Sequence, residues 1–135
     1  MLTSSLIHPE IMRVLSLCGH GDKILIADGN YPLDSESGSA PKVYLGLTAG
    51  IPTVTQVLEV LKGVIPIEKA EVMVPEDGST PEIYAEFRSI LNGMELNGIA
   101  RWDFYKTCAD PKIRLAISTG EKRTFSNILI TVGIA

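Results

Sequence analysis

The tightest polar cluster in the chain is Gly19-His20-Gly21-Asp22, between a helical pattern and a buried apolar run that ends in Asp28 and is followed by Gly29-Asn30. Two glycines around a histidine fit a tight turn that leaves the imidazole in a cleft. Such a group, with an ordinary pKa near ~6.5, exchanges protons around neutrality. The same residues also fit structural service, with His20 as a cation at a helix C-terminus and Asp22 as a turn former. Asp28 closes a strand-like run, and in open α/β sheets ligands bind beyond the carboxyl ends of strands. An Asx-turn with Gly29-Asn30 is an equally compatible reading. Asn30 reads either as an amide for ligand hydroxyls or as a turn residue in the left-handed region.

Two more clusters carry polar chemistry. Arg101-Trp102-Asp103-Phe104-Tyr105 sits at a strand-to-helix junction and holds the only tryptophan. Arg101 there fits a clamp on hydroxyls or an ion pair with a carboxylate. Thr119 to Asn127 (TGEKRTFSN) links two apolar strands, and its composition alone reads as a solvated loop. The cysteines, Cys18 and Cys108, lie far apart with no CxxC or Cys/His spacing around them. They read as reduced packing residues, with no metal site expected.

The elements that must position these residues follow from hydrophobic spacing. Pro9 followed by Ile11, Val14, Leu15 and Cys18 gives an amphipathic helix with proline in its first turn and Gly19 as its stop. Lys23 to Asp28 is a short apolar run that fits a strand buried on both faces. A Ser- and Gly-rich loop covers Leu33 to Pro41. Further strand-like runs are Lys42 to Leu47, Glu71 to Val74, Gly98 to Arg101, Ile113 to Ser118 and Asn127 to Val132. Helical patterns fill the gaps. Thr53 to Val64 places Val54, Val57, Leu58 and Leu61 on one face, and Thr80-Pro81 opens a helix with Ile83, Phe87, Ile90 and Leu91 inward. A short helix runs from Asp103, its expected cap, to Ala109. The alternation predicts a single α/β layered domain over residues 1–135 with a mixed, mainly parallel sheet of about six strands.

Composition narrows the function classes. The 135 residues are 45% hydrophobic and 21% charged, with 12 basic against 16 acidic side chains. Disorder is excluded at that apolar content, and a pI near 5.1 gives no general attraction to nucleic acid. The longest apolar stretch, Asn127 to Ala135, is too short for a membrane span, and the N-terminus has no secretory pattern. A cytoplasmic address is the expectation. Mean hydropathy is +0.21, high for so small a domain. The C-terminal run from Ile128 to Ala135 would be an aggregation-prone edge if left bare, so a homo-oligomer is expected.

Taken in order, Gly19-His20-Gly21-Asp22, Asp28, Pro32, Arg101-Trp-Asp-Phe-Tyr, Thr119-Gly120-Glu121, Phe125-Ser126-Asn127-Ile-Leu and Gly133-Ile134 resemble the ribose pyranase/fucose mutarotase (RbsD/FucU) family. The likeness covers nearly the whole chain, including the opening helix. Arg101 in an R-x-x-F-Y setting is closer to the fucose branch, since the ribose branch has a histidine nearby. The resemblance implies a three-layer α/β/α fold and an isomerase that interconverts anomers, or pyranose and furanose forms, of a free monosaccharide without cofactor or metal. It also implies a decameric ring with active sites near subunit boundaries.

Carried over by resemblance, His20 matches the family's proton donor, with Asp22 or a backbone carbonyl to orient it. Asp28 and Arg101 match sugar-binding positions, and Phe125-Ser126-Asn127 takes the place of a Tyr-x-Asn motif. Phe125 stands where the family has tyrosine, and Asn30 where the fucose branch has histidine, so a phenolic hydroxyl and a titrating group are missing. A noncatalytic sugar-binding protein of the same fold is the alternative that these departures leave open.

Overall fold

The computed structural model describes residues 1–135. In chain order the elements are α1 (Pro9–Leu15), β1 (Lys23–Ala27), β2 (Lys42–Tyr44), α2 (Val54–Lys62) and β3 (Ile67–Val74). They are followed by α3 (Ile83–Ile90), β4 (Leu96–Ala100), α4 (Arg101–Cys108), β5 (Ile113–Ser118) and β6 (Ile128–Val132). One sheet of six strands has the order β2-β5-β1-β6-β3-β4. β6 is antiparallel to both its neighbours and every other pairing is parallel. All the remaining strands therefore point their carboxyl ends at one edge, where β6 begins.

Central position explains the apolar runs. β1 and β6 lie side by side in the middle, with Ile24 to Ala27 and Ile128 to Val132 all buried, because helices cover both faces of the sheet. Side chains alternate between the faces. Ile24, Ile26, Ile128 and Ile130 pack against α1, α2 and α3, while Leu25, Ala27 and Leu129 pack against Phe104 and Cys108 of α4 and the segment from Tyr31 to Ala40. Full burial of side chains such as Phe87 and Phe104 contributes roughly 1.5–3 kcal/mol each. Thr53 and Gln56 close the reciprocal capping box of α2 at 3.2 and 2.9 Å.

Four local expectations are corrected. α1 ends at Leu15 with Ser16 as its cap, three residues before Cys18. α4 starts at Arg101, directly after β4, so Asp103 lies in its first turn and caps nothing. β3 begins at Ile67, well before Glu71, because it pairs with β6 from Val132 onward while Glu68 and Lys69 interrupt the apolar pattern. The C-terminal run is no edge at all, since β6 is sandwiched between β1 and β3. The apolar surplus is instead carried by exposed side chains, among them Leu17, Leu47, Trp102 and Ile134.

Candidate active site

The reversed direction of β6 gathers the polar clusters. Asp28 follows β1, Thr119 to Glu121 follow β5, Arg101 follows β4 and Phe125 to Asn127 lead into β6, all at the same edge. From β1 the chain passes to β2 on one side of the sheet and later to β3 on the other, so a crevice opens at this edge, where α/β sheets take ligands.

Asp28 is its best-fixed residue. It is 2% exposed, and its N–H donates to Asn127 Oδ1 at 2.8 Å. Its Oδ1 accepts from the Asn30 N–H at 2.9 Å, which is an Asx-turn, and its Oδ2 accepts from the Ser126 N–H at 3.2 Å. The turn reading of this residue is therefore the one its hydrogen bonds display. None of the chain's ion pairs includes it. Burial pushes its carboxyl above the ordinary aspartate value against the pull of those N–H donors, and nearby Glu121 adds to the rise.

The strand-entry segment is shaped for this contact. Phe125 has φ +55°, a left-handed conformation uncommon for a residue with a side chain, and the turn it makes delivers the Ser126 N–H to Asp28. The Ser126 hydroxyl takes no part and reaches only the Thr124 carbonyl, at 3.4 Å. Asn30 does not adopt the left-handed turn conformation; the non-glycine residues that do are Asn92 and Phe125.

Arg101 forms no ion pair. Its guanidinium lies 5.0 Å from the Trp102 ring centre and 5.8 Å from that of Tyr105, and Nε donates to the Tyr105 hydroxyl at 3.3 Å. Stacked and uncommitted to a carboxylate, it remains free for ligand oxygens. Together with Asp28, Asn30 and Asn127 it borders a cleft of about 170 Å³, with Tyr31, Met73, Tyr105, Thr124 and Phe125 completing the wall. That volume is below the ~300–1,000 Å³ of pockets for drug-sized ligands and matches a smaller polar molecule.

A larger hollow of about 500 Å³ adjoins it, sharing Asn30 and lined by Gly46 to Ala49 and Thr119 to Lys122. Its buried carboxylate, Glu121, is already held by both Arg123 Nε and Nη2 at 3.0 Å. Burial alone would raise the Glu121 carboxyl, but the Arg123 bonds outweigh it and hold it below its usual value. The smaller cleft is therefore the one whose buried carboxylate has no cationic partner. Thr119, Glu121, Ser126 and Asn127 are all buried, so the link between β5 and β6 is no solvated loop.

His20 and Asp22 lie elsewhere. They precede β1, and its five residues at ~3.3 Å each put about 16 Å of strand between them and Asp28. His20 is exposed, with Nε2 2.9 Å from Glu68 Oε2. Asp22 does not hold the imidazole, as its Oδ2 accepts from the Gly19 N–H at 2.8 Å and closes the turn. Of the eight residues singled out in the sequence, the structure brings Asp28, Asn30, Arg101, Phe125, Ser126 and Asn127 to one edge and leaves His20 and Asp22 at the other.

The RbsD / FucU transport protein family model matches residues 1–135. The chain belongs to this family. Fucose mutarotase of Bos taurus is 31% identical over 143 residues, covering 96% of this chain and 90% of that protein. D-ribose pyranase of Clostridium botulinum is 26% identical over 134 residues, covering 99% and 98%. The structure of Bacillus subtilis RbsD complexed with D-ribose superposes with a TM-score of 0.87 at 23% identity, over 100% of this chain and 99% of that one.

Within this RbsD / FucU domain, two contacts escaped sequence reasoning. Tyr105 meets Arg101 through i, i+4 spacing, which becomes visible only once α4 is started at Arg101. Glu68 meets His20 from a distant strand, and no local signal announces it. Cys108 is buried and Cys18 half-buried, both free, and burial pushes the Cys108 thiol up to about 11.

Proposed function

We propose that the chain is a monosaccharide mutarotase that interconverts anomers, or pyranose and furanose forms, of a free sugar of the fucose or ribose class. The observation that carries this reading is a buried carboxylate with no cationic partner, in a monosaccharide-sized cleft beside an uncommitted arginine and two amides. Burying a carboxylate without a cation is costly, and such groups in clefts are characteristic of functional sites. Relatives named fucose mutarotase and D-ribose pyranase match over nearly their full length and support the same chemistry.

Mutarotation opens the ring to the aldehyde and closes it on the other carbonyl face. The anomeric hydroxyl loses a proton while the ring oxygen gains one, so positioned acid–base groups suffice, each worth about 10²- to 10⁴-fold. In this reading Arg101, Asn30 and Asn127 hold hydroxyls, Phe125 supplies an apolar wall, and the Ser126 backbone fixes Asp28. His20 serves as the acid for the ring oxygen. Since it lies a strand's length from Asp28 in the same chain, it acts in the cleft of a second copy, with Glu68 rather than Asp22 behind its imidazole.

The site is thus completed across a subunit boundary, in a homo-oligomer for which a decameric ring is the expected form. Exposed apolar side chains such as Leu17, Leu47 and Ile134 supply contact surface. The two free thiols fit a reducing, cytoplasmic setting. The test is saturation-transfer NMR of α/β exchange for L-fucose, D-ribose and other aldoses. Acceleration of at least one sugar by catalytic amounts of protein is expected, and unchanged exchange across the whole panel would refute the reading.

A further inference from the structure

We propose that Asp28 is the catalytic base that takes the proton of the anomeric hydroxyl, which gives the carboxylate a chemical task beyond holding the sugar. The inference rests on the mutarotase reading above. Ring opening needs a proton acceptor at the anomeric oxygen as well as a donor at the ring oxygen, and His20 fills only the second role.

Geometry singles out Asp28 among the groups at the cleft. The other carboxylate at this edge, Glu121, has both oxygens engaged by Arg123. Arg101 carries no acceptor, and Asn30 and Asn127 do not titrate. Tyr31 donates its hydroxyl to the Glu36 carbonyl at 2.7 Å, and the hydroxyl of Tyr105 accepts from Arg101. The Asp28 oxygens receive the N–H groups of Asn30 and Ser126, with that of Tyr31 close by, which fixes the carboxylate and still leaves acceptor capacity among its roughly four lone-pair positions. A base held by backbone donors keeps its geometry while its charge changes.

The step balances. The Asp28 carboxylate takes the anomeric proton, the O–H electron pair becomes the carbonyl π bond, and the bond from the anomeric carbon to the ring oxygen breaks toward that oxygen. The ring oxygen takes a proton from imidazolium His20 of the second copy. Closure on the opposite carbonyl face returns the proton from Asp28 to the new anomeric hydroxyl and the other to His20.

The groups facing Asp28 set the pH at which it works. Glu121 beyond β5 opposes its ionisation, with Arg123 partly compensating that charge, while Arg101 and Tyr105 of α4 and the N–H groups of Ser126, Asn30 and Tyr31 also face it. Because burial raises this carboxyl, the base is lost on the acid side at a pH above the ordinary aspartate value.

The decisive experiment is the pH profile of kcat and kcat/KM for sugar exchange in wild type, Asp28→Asn and Glu121→Gln, with sugar affinity followed by Trp102 fluorescence. Asp28→Asn is expected to lower kcat by about 10²-fold or more and to abolish the acid limb, while affinity stays within about tenfold. Glu121→Gln keeps the base and removes the like charge beside it, so its acid limb moves to lower pH. Should Asp28→Asn fail to fold, that shift alone decides. An Asp28→Asn protein with kcat and acid limb intact overturns the role, as does one that loses only affinity, or a Glu121→Gln limb that does not move. Wild-type protein that accelerates no sugar overturns the mutarotase reading instead.

Discussion

Asn127→Ala tests how the cleft is built. The buried Asn127 side chain accepts the Asp28 N–H at 2.8 Å, so truncation leaves a buried backbone donor without a partner. Orphaning such a donor costs about 1–3 kcal/mol. For a chain of this size that corresponds to a fall in Tm of roughly 3–11 °C. The neighbouring Ser126→Ala is the internal control. What reaches Asp28 from Ser126 is the backbone N–H, and the hydroxyl has only a 3.4 Å contact, so its removal costs under about 1 kcal/mol. Thermal unfolding of the two variants, with hydrogen exchange of the Asp28 amide, reads the difference directly. Asn127→Ala is expected to melt well below Ser126→Ala and to exchange that amide faster. Equal melting temperatures and an unchanged amide would refute the claim that Asn127 is the strut of Asp28.

Other expectations follow from the same geometry. Phe125→Tyr restores a phenolic hydroxyl at the cleft wall and is expected to lower KM about fivefold, equivalent to a net hydrogen bond of about 1 kcal/mol, measured by anomer exchange. Gly120→Ala places a methyl 2.5 Å from the Ile51 carbonyl oxygen and 2.7 Å from its nitrogen, both backbone atoms that cannot step aside. It is expected to lower stability by about 1–3 kcal/mol in urea unfolding, whereas Gly19→Ala, with open space around it, is expected to do far less. Burial alone would raise the Glu71 carboxyl, but bonds from Lys23 at 2.8 Å and Lys69 at 3.1 Å hold it below its usual value. Its stabilising contribution is complete above the unfolded-chain value of ~4.3 and is lost as pH falls through the lower folded value. Acid unfolding is expected to show that loss below pH ~4.3, with a smaller acid-side slope in Glu71→Gln.

The residues that were legible in the sequence are those whose signal is local. The runs at Lys23 to Asp28 and Ile128 to Val132 announce buried strands, and the spacing of Val54, Val57, Leu58 and Leu61 announces α2. The position of Asp28 just after β1 was legible because the apolar run ends there. What stayed hidden depends on pairing across the sheet. Nothing near Ile128 says that β6 runs antiparallel in the interior, yet that one reversal brings Asn127 to Asp28 across 99 positions. The same topology sends His20 to the opposite edge, so a cluster that looked like half of one site in the sequence belongs to the far end of the molecule. Tyr105 was hidden by a two-residue error in the start of α4, and Glu68 by the polar residues that open β3.

The claim on which the mechanism turns is that the cleft around Asp28 is completed by His20 of a second copy. It is tested most directly by co-assembling two crippled chains, Asp28→Asn and His20→Ala, and measuring sugar anomer exchange in the mixed oligomer. Each variant alone is expected to run near the buffer rate, and the mixture to regain a measurable fraction of wild-type exchange, because some sites then combine an intact aspartate with an intact histidine. A mixture as inactive as its parents, beside an active wild type, would contradict the shared site.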